Sequence, residues 1–100
     1  MTTAIWIHYA RPRPHWYELG DDAKAELLSR WGRAKAASLS AGGELLSRSH
    51  IRGQHDFETA EVWRFTSAEA SFDHWARLTA AGYNAWFAFA NNVGAEDEAT

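Results

Sequence analysis

Residues 58–82, ETAEVWRFTSAEASFDHWARLTAAG, decide the fold, because a strand hands over to a helix inside them. ETAEVWRF reads as a strand rich in branched and aromatic side chains. Thr66 followed three residues later by Glu69 has the spacing of a capping box. Beyond it Phe72, Trp75, Ala76 and Thr79 share one helical face, and Gly82 closes the helix. Immediately upstream ELLSRSHI reads as a strand too, and RGQHD between the two strands, with Gly53 free to take a positive φ, predicts a hairpin. At the amino end TAIWIHYA alternates, Ile5, Ile7 and Tyr9 on one face and Trp6 and His8 on the other, which is a strand pattern. Pro12 and Pro14 then hold the backbone extended, predicting a loop folded onto the domain by Trp16 and Tyr17. From Asp22 to about Ser38, capped by Gly20 or Asp21, Leu27, Leu28, Trp31 and Ala34 form an apolar stripe; Lys24, Glu26, Arg30 and Arg33 lie off it. NAWFAFAN suits a last buried strand, and an acidic tail follows.

The resulting order, β-α-β-β-α-β, is that of an α+β, ferredoxin-like sandwich: four antiparallel strands with both helices on one face. One such domain is expected over residues 1–94, with 95–100 as a disordered acidic tail. Six tryptophans must be housed, and the sheet face without helices would be bare. Large aromatics on that face predict a homodimer joined sheet against sheet.

Composition narrows the function classes. The chain has no cysteine, so thiol nucleophiles, disulfides and zinc knuckles are excluded. Its net charge is −3 and its arginines are scattered along the sequence, which disfavours nucleic acid as a partner. The apolar stretch AIWIHYA is too short for a membrane span and lacks a basic leader, so a soluble cytoplasmic protein is expected.

The run EVWRFTSAEASFDHW, Glu61 to Trp75, resembles the third strand and second helix of the dimeric α/β-barrel superfamily, which includes antibiotic-biosynthesis and haem-degrading monooxygenases. ARPRPHW, AEVWRF and GYNAWFAFANNVG look still more like a small bacterial domain family of that fold. The resemblance implies a dimeric barrel. Members of the superfamily range from cofactor-free oxygenases, cyclases and isomerases to haem enzymes, so it leaves the reaction open. In the haem-degrading branch Trp75 would match the tryptophan that ruffles the haem. That branch's axial histidine has no counterpart near residues 81–85.

Five histidines are candidates for chemistry. His50, His55, Asp56 and Glu58 crowd the hairpin turn, but His55 and Asp56 are adjacent and tend to point apart. No metal-ligand spacing is present, so no metal is expected. His8 interrupts an apolar strand and must be hydrogen-bonded or face a cavity. Neutral imidazole there, or at His50, would serve as a general base, with Arg48 or Arg64 stabilising an oxyanion. Trp63 and Trp75 would line a space between the sheet and the second helix, with Trp6 and Tyr83 as walls and Asn91 offering its amide to a substrate carbonyl. His74 sits at the edge of the buried stripe, which predicts an exposed histidine that becomes a ligand only if haem is bound. The sequence reading is a small cofactor-independent enzyme of cyclase, isomerase or monooxygenase type acting on an aromatic or polycyclic molecule. Its alternatives are a haem protein and a non-catalytic binding or dimerisation module. Whether Arg48 and His50 share a face with Glu61 and Trp63 depends on the hairpin register.

Overall fold

Alternation along the first strand sets which way the sheet faces. In the computed structural model, which describes residues 2–53 and 56–97, strand β1 (Ala4–Pro12) buries Ala4, Trp6, His8 and Ala10 and leaves Ile5, Ile7 and Tyr9 half-buried. It lies in the middle of a four-stranded sheet of order β2-β3-β1-β4, with every neighbouring pair antiparallel. Strands β2 (Glu44–His50), β3 (Thr59–Phe65) and β4 (Phe87–Ala95) alternate with helices α1 (Asp21–Ser40) and α2 (Ala68–Ala80), so the expected order holds. A helical turn, α3 (Tyr83–Trp86), precedes β4 and takes up residues expected in the last strand. Gly82, at φ 83°, makes the reversal into it.

The segment after β1 is not a plain loop. Pro14 opens a 3-10 helix, Pro14–Glu18, because proline's fixed φ suits a first helical position that needs no N–H donor. Trp16 anchors it in the core; Tyr17 is exposed and anchors nothing. Helix α1 starts after Gly20, with Asp21 and Asp22 in its first turn where the helix dipole favours negative charge. Trp31 is its buried anchor, donating its indole N–H to the Ala81 carbonyl at 2.9 Å, whereas Leu28 is largely exposed. After α1 the chain passes close under Phe65: a Cβ added at Gly43 would lie 2.7 Å from that ring and 3.0 Å from the Ser38 carbonyl oxygen. Gly43→Ala is therefore expected to destabilise the fold by about 2 kcal/mol in urea unfolding; unchanged stability would show that the ring yields freely.

Two details of α2 differ from expectation. Ser67, not Thr66, is the cap, accepting the Ala70 N–H at 3.1 Å. The buried face is Ser71, His74 and Leu78, while Phe72 is 59% exposed. The stripe is rotated because its polar members are satisfied internally: Ser71 donates to the Ala68 carbonyl at 2.6 Å, and His74 bonds Ser38.

The aromatic core therefore lies between sheet and helices, built from Trp6, Trp16, Trp31, Trp63, Phe65 and Tyr83 around Leu78. Large aromatics were expected on the open sheet face. That face presents one, Tyr9, beside Ile5, Ile7 and Val62, all half-buried, while Trp6 and Trp63 lie on the helix side. Order also extends past residue 94. Ala95 ends β4, and Glu96 is held by the Arg64 guanidinium through two bonds of 2.8 Å, within the stretch expected to be a disordered tail. Arg64 holds the Glu96 carboxyl down to about 2. Residues 98–100 of the expected tail, and His55, lie outside the described residues.

Candidate active site

β1 delivers His8 to the helix side of the sheet, where burial leaves it 2% exposed. Both ring nitrogens are engaged by residues from the far end of the chain. Nδ1 lies 2.6 Å from Asn91 Oδ1 on β4, and Nε2 lies 2.9 Å from the Tyr83 hydroxyl on α3. An amide oxygen only accepts, so Nδ1 carries the proton and Nε2 is left as the lone pair that accepts the Tyr83 O–H. Trp6 stacks on the imidazole at 4.9 Å between ring centroids, with Trp75 5.5 Å away. Desolvation lowers the His8 pKa below its ordinary value, against the opposing pull of Asn91 and Glu61, so the ring is neutral near pH 7. Burial likewise raises the Tyr83 phenol well above its ordinary range, keeping it protonated.

Next to His8 across the β1–β3 ladder stands Glu61, a carboxylate only 5% exposed. Its Oε1 accepts the Trp63 indole N–H at 2.9 Å, and its Oε2 accepts Lys35 Nζ at 2.9 Å and Arg48 Nε at 3.2 Å. Burial raises the Glu61 pKa, but Lys35 and the Trp63 N–H outweigh it and the net shift is downward. Glu61 is thus ionised, and Lys35 and Arg48 join it in lining a cavity of about 150 Å³ between the sheet and α1. Trp31, Lys35, Arg48, Glu61, Tyr83 and Phe87 line it, with Leu28 also contributing. A larger groove of about 550 Å³ lies between the proline segment after β1 and the hairpin loop. It is shallow and its ion pair, Arg11 with Asp56, is on the surface. The smaller cavity is the one that adjoins buried titratable groups.

The hairpin register settles the question of faces: Arg48 lies opposite Glu61 and His50 opposite Thr59, so both share the helix side with Trp63. A bulge between Leu45 and Ser47 sets that register. The structure brings His8, Tyr83, Asn91 and Arg48 together. It does not bring the rest. Trp6 and Trp63, expected as pocket walls, are fully buried core. Trp75 packs on Phe89 at 4.4 Å, away from the cavity, which adjoins the first helix and not the second. Arg64, expected as an oxyanion partner, points to the open face and pairs with Glu96 and Glu44. His50 sits exposed on the edge strand, beside Glu58 and outside the cavity. Among the described residues no group of three acidic or histidine side chains is placed to hold a metal ion. Sequence reasoning missed Lys35 and the role of Glu61. The signal for Glu61 was its place in register with Trp63 and Phe65, which puts a carboxylate on the buried face.

His74 corrects the expectation of an exposed histidine: it is 0% exposed. Nδ1 lies 2.6 Å from Ser38 Oγ, and the ring packs on Trp63 at 4.4 Å and edge-on to Trp6 at 4.8 Å. Burial lowers its pKa to about 4. Its Nε2 has no partner, but it is sealed among aromatic rings, and the void that borders Ser38 measures about 100 Å³. A haem cannot reach His74 without opening the core, so this residue does not fit an axial ligand.

No protein-family model matches the sequence, and no curated protein does. Solved structures do. A mutant chlorite dismutase from Candidatus Nitrospira defluvii, in complex with cyanide, superposes with a TM-score of 0.79 at 8% identity over 98% of this chain. SnoaB, a cofactor-independent oxygenase from Streptomyces nogalater, superposes with a TM-score of 0.55 at 12% identity, covering 99% of this chain and 97% of its own. The chain has the ferredoxin-like fold that these structures share. It spans 41% of the length of the chlorite dismutase chain. Within this fold the cavity and the His8 cluster lie in the layer between sheet and helices. Among the described residues no helix is long and apolar enough to cross a membrane.

Proposed function

We propose that the chain is a small enzyme that moves protons on an aromatic small molecule without a bound cofactor, through a Tyr83–His8–Asn91 relay. The observation that carries this reading is the 2.9 Å contact between His8 Nε2 and the hydroxyl of Tyr83, a cavity-lining residue. A substrate C–H or O–H proton passes to the Tyr83 oxygen while Tyr83 passes its own proton to His8 Nε2. The high Tyr83 pKa disfavours a free phenolate, so the two transfers are coupled. The imidazolium formed is stabilised by Asn91 Oδ1 and by the Glu61 charge. The oxyanion left on the substrate meets Lys35 and Arg48. Return of the proton to another carbon is an isomerisation; ring closure of the same enolate is a cyclisation, and its reaction with dioxygen an oxygenation. SnoaB, described as a cofactor-independent oxygenase, has a chain of matching extent in this fold, which supports the cofactor-free reading.

The test is hydrogen–deuterium exchange, followed by NMR in D₂O, at the acidic carbon of enolisable aryl ketones and aryl keto acids. Exchange faster than buffer, and dependent on His8 and Tyr83, is expected. Exchange no faster than buffer across the series, or faster but indifferent to both residues, overturns the relay.

The open sheet face, with Ile5, Ile7, Tyr9 and Val62, supports a homodimer built by pairing two such faces. Ile7→Glu is expected to convert a dimer to a monomer in light scattering. A wild-type monomer would contradict this arrangement.

A further inference from the structure

We propose that the cavity beside Tyr83 takes a ligand of one ring and one negative charge, an aryl carboxylate or aryl keto acid, held at its anionic group by Lys35 and Arg48. The inference rests on the cavity being the substrate site and adds the class of molecule it selects.

Three observations lead there. The first is a charge count. Lys35 and Arg48 both converge on one oxygen of Glu61, whose other oxygen is taken by Trp63, so the wall carries one positive charge in excess. Neither cation is sealed: their side chains are 30% and 55% exposed, and Arg48 meets Glu61 through its Nε. A ligand anion would meet free donors on an already positioned guanidinium. The second is size. About 150 Å³ matches an apolar cavity that holds benzene, and three rings supply its apolar side. Tyr83 stacks on Phe87 at 5.1 Å, and Trp31 meets both edge-on, at 5.2 and 5.5 Å.

The third is Gly32. It lies inside α1 and lines the cavity, and a Cβ built on it meets nothing within 4 Å. Glycine costs a helix interior about 1 kcal/mol relative to alanine, and no packing contact here requires its absence of side chain. What its small size leaves is open space in the cavity wall.

The experiment titrates benzoate and its neutral counterpart benzamide into the intact protein, following the Trp31 indole N–H by NMR. Benzoate is expected to bind at least about tenfold more tightly than benzamide, with that preference lost in Arg48→Gln and in Lys35→Met. Gly32→Leu is expected to weaken both ligands while thermal stability holds or rises. Benzamide binding as tightly as benzoate, no saturable binding of either, or full benzoate affinity in Gly32→Leu would each overturn the proposal. Binding is read here without turnover. Benzoate selectivity without proton exchange would sink the relay and leave this site standing; exchange without anion selectivity would do the reverse.

Discussion

Replacing His8 with alanine is expected to lower cavity-dependent proton exchange by about 10²- to 10⁴-fold, the range a positioned general base supplies. Tyr83→Phe should lose a comparable factor, because Tyr83 is the one relay residue among those lining the cavity. The pH profile separates a chemical role from a structural one. Burial depresses the His8 pKa, so the base is unprotonated below the usual imidazole range. The acid limb of the activity profile should accordingly have its midpoint below the ordinary imidazole value of 6.5. Asn91→Leu removes the acceptor that fixes the Nδ1–H tautomer; it should reduce the rate less than His8→Ala and shift the lower limb of the profile. A profile that breaks at the ordinary imidazole value would mean that His8 is not the base.

The second large effect concerns stability in acid. His74 is neutral in the folded protein, with a pKa lowered from 6.5 to about 4 by burial between α2 and the sheet. A depressed histidine pKa means that the unfolded chain binds the proton more readily. The stability is therefore complete above pH 6.5 and is lost as pH falls from 6.5 toward 4, by about 3 kcal/mol for a shift of this size. Arg77, whose Nη1 donates to Ser38 Oγ at 2.9 Å, stands next to the same hydroxyl and adds repulsion once His74 is charged. Asp73 is near it across the small Ser38 void, and Glu61 opposes part of the shift from β3. Urea unfolding at pH 7, 5.5 and 4.5 should show this decline, and His74→Gln, which cannot titrate, should make it shallower, leaving the part due to His8 and Glu61, while costing stability at pH 7. An unchanged pH slope in His74→Gln would assign the acid sensitivity elsewhere.

Element order was legible because the signals are local. The alternation of TAIWIHYA, the apolar stripe before SAGG, and the strand-to-helix passage around Thr66–Glu69 each span a few residues, and the ferredoxin-like fold follows from their sequence. What escaped the sequence is carried by contacts between distant segments. His8 and Asn91 are 83 positions apart, and His8 and Tyr83 75. Ser38 and His74, 36 positions apart, satisfy each other and so allow a polar side chain into the buried stripe of α2. A hydrophobic pattern cannot register such a pair, which is why Phe72 was placed inward and His74 outward. The same reasoning explains Glu61: a carboxylate is tolerated on the core face because Lys35 and Arg48 arrive from α1 and β2, beside Trp63 of its own strand. His8 stood out in the sequence because no neighbour in its strand could satisfy it.

The most direct test of the relay is the protonation state of His8 in the resting protein, read from its ring ¹⁵N shifts by long-range ¹H–¹⁵N correlation and assigned with His8→Ala. A neutral ring at pH 7.5 carrying its proton on Nδ1 is expected, with Nε2 shifted by the Tyr83 hydrogen bond and altered in Tyr83→Phe. A ring protonated on Nε2, or charged at that pH, would leave Tyr83 without an acceptor and contradict the relay.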